Sequence, residues 1–155
     1  DGDKQVDLKM VEGWAKGSRK KPWFAKQKKG FAMYGDFVID DIEETKYTGT
    51  PIKRLTGTLA ISGCAIESLE GLFLPDCEIE GSLTIEDCPN LVSLKGCPKK
   101  IGGIFQCFGN KKLMGLENGP THVKGISVDD NGKKFTKSYI TSLIKIDEPE
   151  FGRGY

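Results

Sequence analysis

The chain has 155 residues and a mass of 17.0 kDa, enough for one domain with or without an arm. Its hydrophobic share of 37% includes no run of eighteen apolar residues, so no membrane-spanning helix and no membrane partner are predicted. The formal net charge of +1 conceals a segregation: residues 1–30 carry nine basic and four acidic side chains, residues 31–86 three and eleven, and residues 87–155 eleven and seven.

The first segment in chain order, 1–32, is a basic aromatic arm or N-terminal cap. Residues 14–29 hold seven basic side chains and no acid, with Trp14, Trp23 and Phe24 interleaved. Two readings stand side by side. Trp14, Lys16, Arg19, Lys20, Lys21, Trp23, Lys28 and Lys29 could hold phosphates and stack on bases, as in single-strand binders. Alternatively the aromatics cap a neighbouring core, and the cations dock on the acidic middle or remain solvated.

From residue 33 to 134 the chain repeats. IEGSLTIEDCPNLVSLKGCPKK from Ile79 and IGGIFQCFGNKKLMGLENGPTH from Ile101 align without gaps over 22 residues. Ile79 matches Ile101, Gly81 matches Gly103, Leu83 matches Phe105, Ile85 matches Cys107, Leu91 matches Leu113 and Leu94 matches Leu116. Leu55-x-Gly57-x-Leu59-x-Ile61 opens an earlier unit whose extra residues fall in Leu72–Glu78, read as a loop. Met33-x-Gly35-x-Phe37-x-Ile39 opens a weaker one. The last unit starts at Val123; a one-residue slip there predicts Ile126 and Val128 inside in place of Ser127 and Asp129. Each unit opens with period-two alternation, which predicts a short strand with one buried face. Strands recurring at this period stack in parallel about 4.8 Å apart. The predicted fold is mainly β with minor α: a leucine-rich-repeat-like parallel β solenoid of about five turns.

The segment 135–155 is a C-terminal helix and tail. Phe135, Tyr139, Ile140, Leu143 and Ile144 recur at helical spacing and Thr136 is the predicted N-cap, giving a helical cap for the last turn. Asp129-Asp-Asn-Gly132 is read as a turn, because the later glutamate of a calcium loop is missing. His122, beside Pro120, is read as a surface loop residue.

Cys64, Cys77, Cys88, Cys97 and Cys107 form no Cys-x-x-Cys, and His122 is the one histidine. That composition weighs against a zinc site and a Cys–His or Ser–His catalytic pair in a reducing compartment. Cys64 and Cys88 share a repeat position; a disulfide is geometrically conceivable, and buried free thiols filling a narrow core are the favoured reading. No secretory signal is read. No metal, cofactor or catalytic residue is assigned.

Leu91-Val-Ser-Leu94-Lys-Gly-Cys-Pro98-Lys-Lys-Ile101-Gly-Gly-Ile-Phe105-Gln-Cys107-Phe-Gly-Asn110 resembles the leucine-rich-repeat-like unit of tailed-bacteriophage proteins, roughly Leu-x-Ser-Leu-x-Gly-x-Pro-x-x-Val-Gly-Gly-x-Phe-x-Cys-x-x-Asn. The resemblance covers residues 55–125 well and 33–54 poorly, and leaves 1–30 untouched. It implies a viral, non-enzymatic protein with a binding or structural role, in the host cytoplasm or the virion. A protein partner, from host or phage, is expected on the outward strand columns. The candidate face comprises Asp36, Val38, Thr58, Thr84, Glu86, Ile104, Gln106 and Phe108, with Ile104 and Phe108 at one end as anchors. The alternative is a nucleic-acid-associated protein that uses the arm.

Overall fold

The computed structural model describes residues 23–26 and 30–148. In chain order these form β1 (Trp23–Lys26), β2 (Phe31–Tyr34), β3 (Phe37–Ile39), β4 (Ile52–Leu55), β5 (Leu59–Ser62), β6 (Phe73–Ile79), β7 (Leu83–Glu86), β8 (Lys100–Phe108), β9 (His122–Asp129), α1 (Lys137–Leu143) and β10 (Lys145–Ile146). The fold is mainly β with one short helix, a parallel β solenoid of about five turns.

In the first three units the expected strand is divided at its glycine. In Leu55-x-Gly57-x-Leu59-x-Ile61 the alternation continues across a corner, so β4 ends at Leu55 and β5 begins at Leu59. Two parallel ladders result. Ladder A stacks β2, β4, β6 and the first parts of β8 and β9, and ends on β10. Ladder B stacks β3, β5, β7 and the last parts of β8 and β9. β8 and β9 run through the corner unbroken and belong to both. The corner glycines sit on one another. A Cβ on Gly57 would strike the Gly35 carbonyl oxygen, and one on Gly81 the Gly57 carbonyl oxygen. Side chains hold the corner as well: the Thr58 N–H donates to Asp36 Oδ1 at 2.9 Å, and the Ile104 N–H to Ser82 Oγ at 2.9 Å.

The ladder B register reproduces the repeat. Phe37 lies opposite Leu59, Leu59 opposite Leu83 and Leu83 opposite Phe105. The slip in the last unit is also present. Ile101 faces Val123, but Ile104 faces Gly125 and Phe105 faces Ile126, so the fifth turn is one residue shorter at its corner and Ile126 and Val128 are buried.

Two expectations are corrected. Leu72–Glu78 is not a loop: Phe73–Ile79 is strand β6, and Ile52 pairs with Phe73 while Arg54 pairs with Glu78. The extra residues bulge from a continuous strand, because both ends of it still find ladder partners and Phe73 and Ile79 stay buried. His122 is not in a loop. It opens β9 opposite Lys100 and Lys145.

The core is a single column of side chains between the ladders and the returning Leu-x-x-Leu segments. Leu59, Ile61, Leu69, Leu83, Ile85, Leu91, Leu94, Phe105 and Leu113 are all fully buried, each contributing roughly 1.5–3 kcal/mol by leaving water. At the N-terminal end the described cover lies on ladder A. β1 pairs antiparallel with β2, Trp23 opposite Tyr34 and Lys26 opposite Phe31. At the other end Thr136 caps α1, its Oγ accepting from the Tyr139 N–H at 3.1 Å. The helix buries Ile140, flanked by buried Phe135 and Ile144. Beyond the helix, β10 adds two residues to ladder A, an element without a sequence signal.

Candidate interaction face

A column of pegs, buried except at half-buried Asn131, backs the ladder B strands. Five residues past the first core residue of each strand stand Cys64, Cys88, Asn110 and Asn131. Each donates to the strand carbonyl of the turn before. Cys64 Sγ reaches the Ile39 oxygen at 3.4 Å and Cys88 Sγ the Ile61 oxygen at 3.9 Å. Asn110 Nδ2 reaches the Ile85 oxygen at 3.1 Å and Asn131 Nδ2 the Cys107 oxygen at 2.9 Å. Asn110 Oδ1 also accepts from the Cys88 N–H at 3.0 Å, so a fully buried amide has its needs met. The turn expected at Asp129–Gly132 thus carries a peg. Just before the pegs the backbone turns left-handed at Gly63, Asp87, Gly109 and Asp130, a conformation that glycine adopts freely and aspartate tolerates.

All five cysteines are buried and free, as expected for Cys64 and Cys88. Burial pushes the thiols of Cys64, Cys77 and Cys107 up to about 12 and raises those of Cys88 and Cys97 as well. Such thiols are protonated and poor nucleophiles at neutral pH. Among the described residues no group of three or more His, Cys, Asp or Glu side chains is placed to hold a metal ion. No helix among them is long and apolar enough to cross a membrane.

Register on ladder B assembles the outward columns. Val38, Ala60, Thr84, Gln106 and Ser127 lie side by side across five strands. Beside them run Ser62, Glu86, Phe108 and Asp129. Thr58 and Ile104 are exposed, whereas Asp36, Val38, Glu86, Gln106 and Phe108 are half-buried. Thr84 is the exception. It is buried, its hydroxyl donating to Gln106 Oε1 at 3.0 Å, because in-register neighbours close over so short a side chain. Ser127 and Asp129 extend the face to a fifth turn. The slip that put Ile126 and Val128 inside was the signal for them. Ile104 is 42% exposed because its ladder neighbour is Gly125, which has no side chain to cover it.

The outer side of ladder A is different. Arg54 pairs with Glu80, His122 Nε2 with Asp147 Oδ1 at 2.8 Å, and Lys124 with Glu148 at 3.6 Å. The His122 hydrogen bond, helped by Lys145 and Lys100, holds the Asp147 carboxyl below the usual carboxylate range. In the loops beyond ladder B, Lys111 of the Lys111-Lys112 pair binds Asp130, and Lys133 of the Lys133-Lys134 pair lies 5.8 Å from the centre of the Tyr139 ring.

Trp14, Lys16, Arg19, Lys20, Lys21, Lys28 and Lys29 lie outside the described residues, and of Trp23 only its place in β1 is described. Comparison with protein-family models, with curated proteins and with solved structures finds no match to this chain.

Proposed function

We propose that this chain is a non-enzymatic phage protein that binds another protein through the outer face of ladder B, as a host-factor modulator or a virion component. The observation that carries this reading is the exposure of Ile104 on a flat, in-register surface of small side chains. A large aliphatic group kept in water toward one end of a rigid sheet can serve as the anchor of an interface. Half-buried Phe108 lies four residues along the same strand, and Asp36, Asp40, Glu86 and Asp129 border the face, which suits a partner with a basic rim. The phage assignment rests on the repeat resemblance alone. The basic aromatic arm keeps nucleic acid as the competing partner class.

The test compares capture of proteins from nuclease-treated bacterial lysate by the tagged chain and by two variants. Ile104→Glu puts a charge at the anchor. Val92→Glu does so at a residue 54% exposed on another side of the solenoid. Loss of a stoichiometric protein with Ile104→Glu and its retention with Val92→Glu supports the reading. Equal capture by both refutes it, and capture that nuclease abolishes transfers the function to the arm.

A further inference from the structure

β3 is the first strand of ladder B, in the first turn of the solenoid. β1 covers the outer edge of β2, and among the described residues β3 has a ladder neighbour on one side only, β5. Backbone direction says which atoms its other side presents. The Phe37 N–H donates to the Thr58 carbonyl at 2.9 Å, toward β5. In a parallel ladder successive residues turn their N–H and C=O to opposite sides, so the Val38 N–H and C=O face away from β5. An edge that offers a donor and an acceptor together is a template for an added strand.

Charge narrows what can be added. Residues 36–46 carry Asp36, Asp40, Asp41, Glu43 and Glu44 against one base, Lys46. The segment that follows β3 stays in the first turn: the Ala65 N–H donates to the Ile42 carbonyl and the Glu67 N–H to the Thr45 carbonyl, both at 2.9 Å. A second copy is a poor occupant, because β3 laid against β3 sets one acidic run against another. A basic strand gains where that pairing loses. In antiparallel addition one residue exchanges both hydrogen bonds with Val38. Its second neighbours along the added strand then lie opposite Asp36 and Asp40, which share the outward side of Val38 by strand alternation. Opposite charges across neighbouring strands favour that register.

We propose that the outer edge of β3 takes an extended basic segment of another protein as an added antiparallel strand, with Lys or Arg two residues to either side of the residue that pairs with Val38. This goes beyond the partner reading, because the contact is made through main-chain atoms at the strand edge and does not need Ile104.

The probe is a short capped peptide with lysine two residues to either side of a central valine and threonine elsewhere. Its binding is read by amide NMR on the full-length chain at low salt, where charge pairing is least screened. The Val38 amide should shift saturably, and its exchange should slow at least about 10-fold at saturation, while the Ile85 amide is unchanged. The same peptide N-methylated at the central valine keeps its charge but loses the donor, and should leave Val38 unperturbed. A peptide with glutamate in place of lysine should bind at least about 10-fold more weakly. Val38→Pro removes the edge N–H where an edge strand tolerates proline and should abolish binding. Ile104→Glu should retain it, which separates this proposal from the partner reading. Equal binding of the parent and N-methylated peptides overturns the proposal, whether or not the proline variant folds. So does a lysine peptide that fails to bind, a glutamate peptide of equal affinity, or loss of binding with Ile104→Glu, which would place the peptide on the outer face. A Val38 amide that exchanges in the free chain as slowly as that of Ile85 also overturns it, because the edge is then already filled.

Discussion

The two ladders share one backbone rhythm and differ in what they show to water. Ladder A meets solvent with long charged side chains that find partners on neighbouring turns, among them Arg54 with Glu80 and Lys124 with Glu148. Ladder B meets it with Ala60, Gln106 and Ser127, and leaves Ile104 exposed. Similar strand geometry thus carries opposite surfaces, because the buried residues and the backbone ladders hold the stack in both. One ladder is satisfied within the molecule, whereas the other has the flatness and the apolar anchor that complementarity to a second surface requires.

The contrast is broken hardest at the corner both ladders share. Gly81→Ala would drive a Cβ into the Gly57 carbonyl oxygen, and the backbone must separate to admit it. A loss of about 3 kcal/mol in urea denaturation is expected, at the upper end of overpacking effects, with amide protection falling on both ladders. Protection lost on one ladder alone would show that they fold independently. Asn110→Ala acts on ladder B only. It leaves the Cys88 N–H and the Ile85 carbonyl without their partner in a dry core, at a cost of about 2 kcal/mol. Hydrogen exchange should quicken in β7 and the end of β8 while β4 keeps its protection.

Thiol chemistry sharpens the comparison with no change of sequence. Cys64, Cys88 and Cys107 back ladder B at zero exposure, while Cys77, in the bulge of ladder A's β6, is 6% exposed. Native protein at pH 8 should resist iodoacetamide, Cys77 reacting first, and all five should react together in denaturant.

The smallest effect belongs to the ladder A charges. The depressed Asp147 carboxyl contributes stability that is present above its unfolded pKa, near 3.9, and is lost as pH falls through the lower folded value. Asp147→Asn should therefore lower the urea midpoint slightly at pH 7, and the difference from the parent should shrink toward pH 2.

The repeat made much of this legible. Period and parity together place Leu59, Leu83 and Phe105 in one column and predict the slip that buries Ile126. Thr136 and the spacing from Phe135 to Ile144 give the helix. The corner was hidden, because a bend at Gly57 or Gly81 preserves inward–outward alternation and the pattern runs on as a single strand. β10 was hidden because Lys145-Ile146 takes its conformation from ladder A, with no periodicity of its own. In the bulge of β6 the insertion disguises a strand whose two ends keep register. On the face, outward residues could be assigned by parity, but exposure depends on neighbours: Thr84 is covered by Gln106, and Ile104 is bared by Gly125.

The column of Cys64, Cys88, Asn110 and Asn131 also has a mechanical meaning. Each peg fastens one turn to the carbonyl of the preceding turn and to no turn farther away. Tension applied along the solenoid axis therefore loads the fastenings in series. The molecule behaves as a chain of links that yield one at a time, each releasing a turn of some 22 residues, about 75 Å of extended chain. The amide fastenings, at 3.1 and 2.9 Å, are closer than the thiol fastenings, at 3.4 and 3.9 Å, and amides are the stronger donors, so the weaker links lie in the N-terminal half.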